Sequence, residues 1–250
     1  MNQSKYDRLA TLDRKSYQPS KGIIMNQSKY DRLATFLNNL PNKMKTQLEE
    51  LKKNGRELAD KDDFLWFILL QSFSTMGNSR GRDALIGTES NYRRVTYDYV
   101  KNEVNESERP EHFDRVLRDA KVRMPGKKAE WLFSNLNRIE SWGGVAEANK
   151  IAFSKKGRTE KIRFMKSFDG IGDKYGRNIW MDIYDKDFHE SVAVDERIKK
   201  ISKALDVSFT KYDDHEKFYL ELAGKTNLQG WELDRLMYHF NTEILEAINS

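Results

Sequence analysis

The stretch Phe168-Asp169-Gly170-Ile171-Gly172-Asp173-Lys174 limits what this 250-residue chain can fold into more than any other. Two glycines flank one aliphatic residue between two segments of helical periodicity. Such a turn lets the backbone pass very close to another backbone. The spacing predicts a helix ending near Phe168, a tight turn, and a second helix from Lys174 to about Tyr184 with Tyr175, Ile179 and Ile183 in one stripe. The amides after Gly170 and Gly172 are expected to face outward at the mouth of the second helix. There they would form an anion site together with the helix N-terminus. Ile171 is expected to plug the turn into the helix pair.

The rest of the chain is also read as helical. Tyr30, Leu33, Phe36 and Leu37 share a face, and Leu48 and Leu51 follow after Pro41. Asp62 or Asp63 is placed to cap a buried helix through Phe64–Leu70, and the polar stretch 72–82 reads as a loop or an irregular helix end. Short helices are expected over Tyr97–Val104 and His112–Leu117, and an amphipathic one over Lys127–Ile139. Another begins near Asp195, and two last helices cover about Asp214–Ala223 and Trp231–Ile248. No strand alternation is seen, so the fold class is all-α.

Residues 1–11 and 25–35 are identical, MNQSKYDRLAT, with no third copy. A structural repeat would continue and drift. Residues 1–24 are therefore read as a start-site or cloning duplication, with Met25 the natural start and 25–250 the helical domain.

Composition excludes several classes of site. The chain has no cysteine, so disulfides, thiolate zinc sites and iron–sulfur clusters are ruled out. The four histidines are scattered without metal-ligand spacing, and no metal is expected. The polar N-terminus argues against a signal peptide, and the longest apolar run, Phe64–Leu70, is too short to span a bilayer. An intracellular, nucleoid-associated protein with no membrane partner is expected. The net charge of +5 is modest, but seven Lys or Arg and one acidic residue lie between Lys150 and Lys166. A local basic surface of this kind gathers phosphates.

Lys174 falls in the first turn of its helix, where the partial positive potential disfavours an ammonium; partial burial would act the same way. A neutral amine can attack a sugar C1′ and form a Schiff base. Asp195, 21 positions on, starts the next helix, from which it can stabilise positive charge on the sugar or shuttle protons. A plain helix cap remains the alternative reading of Asp195, and a solvated side chain that of Lys174.

These residues resemble the helix–hairpin–helix DNA glycosylase superfamily. Its pattern is a hydrophobic residue (often proline), Gly-Val/Ile-Gly, a spacer, a lysine in bifunctional members, and later Val-Asp before another helix. Here the pattern reads Phe168 to Lys174, then Val194-Asp195, with Asp169 where proline is common. The resemblance covers roughly residues 60–245 and places the hairpin motif at about 159–184.

It implies a two-lobed all-helical fold with the site in the cleft. It also implies a flipped nucleotide in damaged double-stranded DNA, and often a monovalent cation at the hairpin but no other cofactor. Lys174 matches the Schiff-base lysine and Asp195 the catalytic aspartate. Gly170, Ile171, Gly172, Asp173, Arg80 and Lys128 are candidate DNA contacts. Gln71 or Asn78 would fill the space left by the flipped nucleotide.

Candidates for the base pocket are Trp66, Phe73, Phe218 and Trp231, with Tyr219 and Tyr238 weaker. Asp214, His215 and Asp234 are possible polar contacts. The implied activity is a monomeric bifunctional glycosylase/lyase for an oxidised purine, above all 8-oxoguanine, of the compact archaeal type. A lyase for pre-formed abasic sites and a non-catalytic hairpin DNA-binding module are the alternatives.

Overall fold

The computed structural model describes residues 25–76 and 80–250; residues 1–24 and 77–79, including candidate Asn78, lie outside it. Among the described residues there is no strand. In chain order the α-helices are α1 (Gln27–Asn38), α2 (Asn42–Ala59), α3 (Phe64–Thr75), α4 (Arg80–Leu85) and α5 (Glu89–Tyr92). Then come α6 (Tyr97–Glu103), α7 (Arg109–Asp119), α8 (Pro125–Ser141), α9 (Val145–Ser154) and α10 (Gly157–Met165). Last are α11 (Asp173–Asp182), α12 (Glu196–Ala204), α13 (Tyr212–Lys225), α14 (Gly230–His239) and α15 (Asn241–Asn249).

The helices pack in two groups. In one, α7 lies on α8, and α3 lies on α4, α8 and α9. In the other, α15 is covered by α1 and α12, and α14 by α12, α13 and α2. The pair α10–α11 links them, with α11 touching α3. The apolar run Phe64–Leu70 is buried on all sides, as expected of the central helix of its group.

Four details differ from the sequence reading, each for a local reason. Asp63 makes no side-chain cap on α3. Asn149 of α9 supplies the cap instead, its Oδ1 accepting from the Leu65 amide at 3.0 Å while its Nδ2 donates to the Asp62 carbonyl. The α3 helix runs on to Thr75 because Ser74 and Thr75 donate their hydroxyls back to the Gln71 and Ser72 carbonyls, so polar residues are absorbed within the helix. The stretch from Arg80 on is helix rather than loop. The final helix is two, because Phe240 leaves helical geometry (φ −123°, ψ 37°) and turns the chain so that Ile244 and Ile248 reach the core.

Candidate active site

The turn between α10 and α11 is built from buried contacts. Phe168 and Ile171 are both in the core, so Ile171 does plug the turn. Gly170 sits at φ +82°, and a Cβ there would lie 2.6 Å from the Trp131 ring and 2.9 Å from Phe73. Only glycine fits both the dihedral and the space. Gly172 differs: its φ is −96° and a Cβ would meet nothing within 4 Å.

Asn135 of α8, fully buried, holds the turn from below. Its Nδ2 donates to the Asp169 carbonyl at 3.0 Å, and its Oδ1 accepts from the Asp169 amide at 2.8 Å. A proline at this position would have no N–H to give, which accounts for Asp169. The Asp169 carboxylate accepts from Ser134 Oγ at 2.6 Å.

The amide after Gly170 does not face outward: Ile171 N–H donates to the Phe168 carbonyl at 3.2 Å. At the start of α11, the Asp173 and Lys174 amides have no acceptor among the described residues; the first amide with one is Gly176, on the Gly172 carbonyl. The Asp173 side chain, beside these amides, is paired with Lys166 at 2.6 Å.

Lys174 follows on the second residue of α11. It is exposed rather than partly buried as expected, and it has no acidic partner within ion-pair distance among the described residues. Asp195 caps α12. Its Oδ1 accepts from the Arg197 and Ile198 amides at 2.9 and 3.0 Å, and its Oδ2 lies 3.5 Å from Arg197 Nη1. The Arg197 guanidinium in turn stacks over Tyr238 at 4.0 Å. Lys174 and Asp195 line one cavity of about 390 Å³, together with Gln71, Trp231, Asp234 and Tyr238.

The cavity floor is polar: Asp234, expected as a possible polar contact, lines it, together with Asp182 and Arg235, which were not expected. Asp182 of α11 accepts from Arg235 at 3.2 Å, and burial raises its carboxyl above the ordinary range despite that pair. Asp234 is buried, accepts from the Ala193 amide at 2.8 Å, and is pushed up to about 6 by burial, with Asp195 and Asp182 adding to the rise. Asn178, one turn beyond Lys174, carries a buried carboxamide oxygen with no partner among the described residues and also lines the cavity. Such an atom in a roomy polar cavity is a natural acceptor for a ligand N–H.

The other candidates scatter. Trp66 is core, its Nε1 donating to the Val95 carbonyl at 2.7 Å. Phe73 lies buried under Gly170 against Trp131, and Phe218 packs among Tyr30, Phe209 and Tyr219. None of the three lines the cavity; Trp231 does, its indole donating to the Met181 carbonyl at 2.6 Å.

Lys128 is 1% exposed, with its ammonium on the Met76 carbonyl at 3.0 Å, where it caps the C-terminal end of α3. Burial lowers its pKa. Arg80 is exposed at the start of α4. His215 belongs to a separate buried cluster with Ser202 and Tyr219, and Asp214 is on the surface.

The basic run is largely neutralised. Lys161 is buried between Asp185 and Asp187, Arg158 pairs with Glu216, Lys150 with Glu147 and Lys166 with Asp173. Among the described residues no cluster of three or more His, Asp or Glu forms a metal site.

No protein-family profile and no curated sequence matches the chain. Two solved structures do. The 8-oxoguanine DNA glycosylase of Thermotoga maritima matches with a TM-score of 0.60 at 12% identity, over 84% of this chain and 96% of that one. The 8-oxoguanine DNA glycosylase of Methanocaldococcus jannaschii matches with a TM-score of 0.56 at 14% identity, over 86% and 94%. At these identities the likeness establishes the fold and leaves the chemistry to the residues.

Proposed function

We propose that this chain, having the all-α fold of those two enzymes, is a DNA glycosylase with an associated abasic-site lyase activity. The observation that carries the reading is the meeting of Lys174 and Asp195, from two different helices, at one polar cavity beside the α11 N-terminus, whose Asp173 and Lys174 amides have no acceptor among the described residues. In this reading those amides hold a phosphate of bent duplex DNA. The extruded base enters the cavity. The neutral Lys174 amine forms a bond to C1′ as the C1′–N bond breaks and its electron pair leaves with the base. Asp195 stabilises the positive charge that develops on the sugar and takes a proton from the attached amine; the C1′–O4′ bond then breaks, O4′ taking up that proton as a hydroxyl, while the C1′=N bond of the Schiff base forms. Loss of a C2′ proton from that Schiff base expels the 3′ phosphate by β-elimination.

Gln71, half-buried at the cavity, is the candidate to fill the space left in the duplex. Trp231 and Asn178 are candidates for the base itself. An oxidised purine, 8-oxoguanine first, is the lesion to try, because both structural neighbours are named for it. The reading needs no metal and takes the protein as a monomer. No helix among the described residues is long and apolar enough to cross a membrane.

The test is borohydride trapping on duplexes carrying 8-oxoguanine, an abasic site, or no lesion, with Lys174→Gln alongside. An adduct on the lesion duplex that is absent in the variant is the expected result. Trapping on the abasic duplex alone leaves a lyase without excision of this base. No adduct anywhere removes the lyase and leaves a hydrolytic glycosylase or a binding module.

A further inference from the structure

Asp195 follows a stretch with no regular structure, yet three consecutive amides there are each held by a different side chain. The Val192 amide donates to Glu216 Oε1 at 3.1 Å, the Ala193 amide to Asp234 Oδ1 at 2.8 Å, and the Val194 amide to Tyr212 Oη at 3.3 Å. The Tyr212 hydroxyl is saturated: it donates to the Val192 carbonyl at 3.0 Å and also accepts from Arg177 Nη1 at 2.6 Å.

Arg177 stands one turn after Lys174 on the same helix. Its Nη1 donates to Glu216 Oε2 at 2.9 Å as well, and its guanidinium lies 4.7 Å from the Tyr212 ring. Arg158 also pairs with buried Glu216, at 3.0 Å. A buried ionic network of this kind adds little net stability, because desolvation offsets most of the attraction. Its effect here is geometric. One arginine ties the helix that carries Lys174 to the irregular segment that delivers Asp195.

We infer that Arg177, Tyr212 and Glu216 are positioning residues that fix Asp195 relative to Lys174 for the sugar chemistry, an assignment that rests on the function proposed above. None of the three need touch DNA. They act by setting where the carboxylate stands, and reacting groups displaced by about 1 Å can lose on the order of a hundredfold in rate.

The experiment compares wild type, Tyr212→Phe, Arg177→Met and Arg177→Lys in single-turnover excision at saturating enzyme on an 8-oxoguanine duplex. Duplex affinity, melting midpoint and amide exchange across 190–195 are followed in parallel. Tyr212→Phe keeps a half-exposed ring and removes only the hydroxyl, so it leaves the fold intact. Expected is a rate constant roughly tenfold lower with faster exchange at Val194, and unchanged affinity and melting. Arg177→Met should lose about a hundredfold. Arg177→Lys should recover only part of this, since one ammonium does not reproduce the planar fork.

An unchanged rate in Tyr212→Phe despite faster Val194 exchange would overturn the inference, as would a rate loss matched by a loss of melting temperature or affinity. Wild-type protein inert on both lesion and abasic duplexes would overturn the functional reading, and this assignment with it. Active wild type beside an unaffected variant sinks this assignment alone.

Discussion

Two irregular segments bring the candidate reactive groups together, and they are held by opposite means. The turn 166–172 is fixed from within and from directly below: Ile171 and Phe168 are buried, Gly170 has no room for a side chain, and Asn135 grips one peptide on both sides. The segment 189–195 buries Ser191 and Val192, but Ala193, Val194 and Asp195 are only partly covered. It is suspended from side chains of α11, α13 and α14, through Arg177, Glu216, Tyr212 and Asp234. The first device is packing and fails all at once. The second is a set of polar contacts, and it can be loosened one bond at a time.

Substitutions can break this contrast, beginning with the turn. Gly170→Val places atoms inside Trp131 at a dihedral that valine disfavours, and should cost more than about 4 kcal/mol in urea unfolding, or prevent folding. Asn135→Leu leaves the Asp169 amide and carbonyl without partners. About 3 kcal/mol is expected by the same measurement, with Lys174 chemistry falling only as far as the turn loosens.

On the suspended side, Asp234→Asn sharpens the comparison through pH. The folded chain holds this proton up to about pH 6 whereas the unfolded chain releases it near 3.8, so wild-type stability falls as pH rises through that window. Asparagine has no proton to lose and keeps an acceptor for the Ala193 amide. The variant should therefore gain about 3 kcal/mol over wild type above pH 7, with the gain shrinking toward pH 4. Melting curves across pH 4–8 measure it; a constant difference would mean that Asp234 does not carry this linkage.

The smallest effect belongs to Gly172→Ala. With φ at −96° and open space around it, stability should change by no more than about 0.5 kcal/mol, and any loss of duplex affinity then reports the Asp173 and Lys174 amides rather than the fold.

The same contrast explains what the sequence disclosed. The turn was legible because its determinants are contiguous: two glycines, one aliphatic plug, and helical stripes on either side. Lys174 and Asp195 could be singled out because each sits at a helix start, which leaves a local mark. Asn135 could have been found as the one amide inside the apolar stripe Leu132, Leu136, Ile139.

The cavity floor was legible only in part: Gln71 and Asp234 can be singled out in the sequence, Asp182 and Arg235 cannot. Gln71, Asp182, Asp234 and Arg235 come from three helices, and no spacing announces that they converge. Trp66 and Phe218 have the composition of pocket residues, yet only tertiary packing decides which aromatic faces a cavity and which fills a core. Lys128 and the run from Lys150 to Lys166 teach the same about charge. A cation count does not reveal that Lys161 is buried between two aspartates or that Lys128 closes a helix end.

The seat of α1 has a consequence in time rather than in space. This helix leaves the ribosome before every other helix described here, but Tyr30, Leu33 and Leu37 find their cover on α15 and α13, and Arg32 clasps the Ile248 carbonyl 216 positions later. The group of helices that supplies Asp195 and Asp234 therefore stays open along one side throughout synthesis, its apolar face uncovered, and closes only when the last helix emerges. The burial of α1 is, for this chain, a late event.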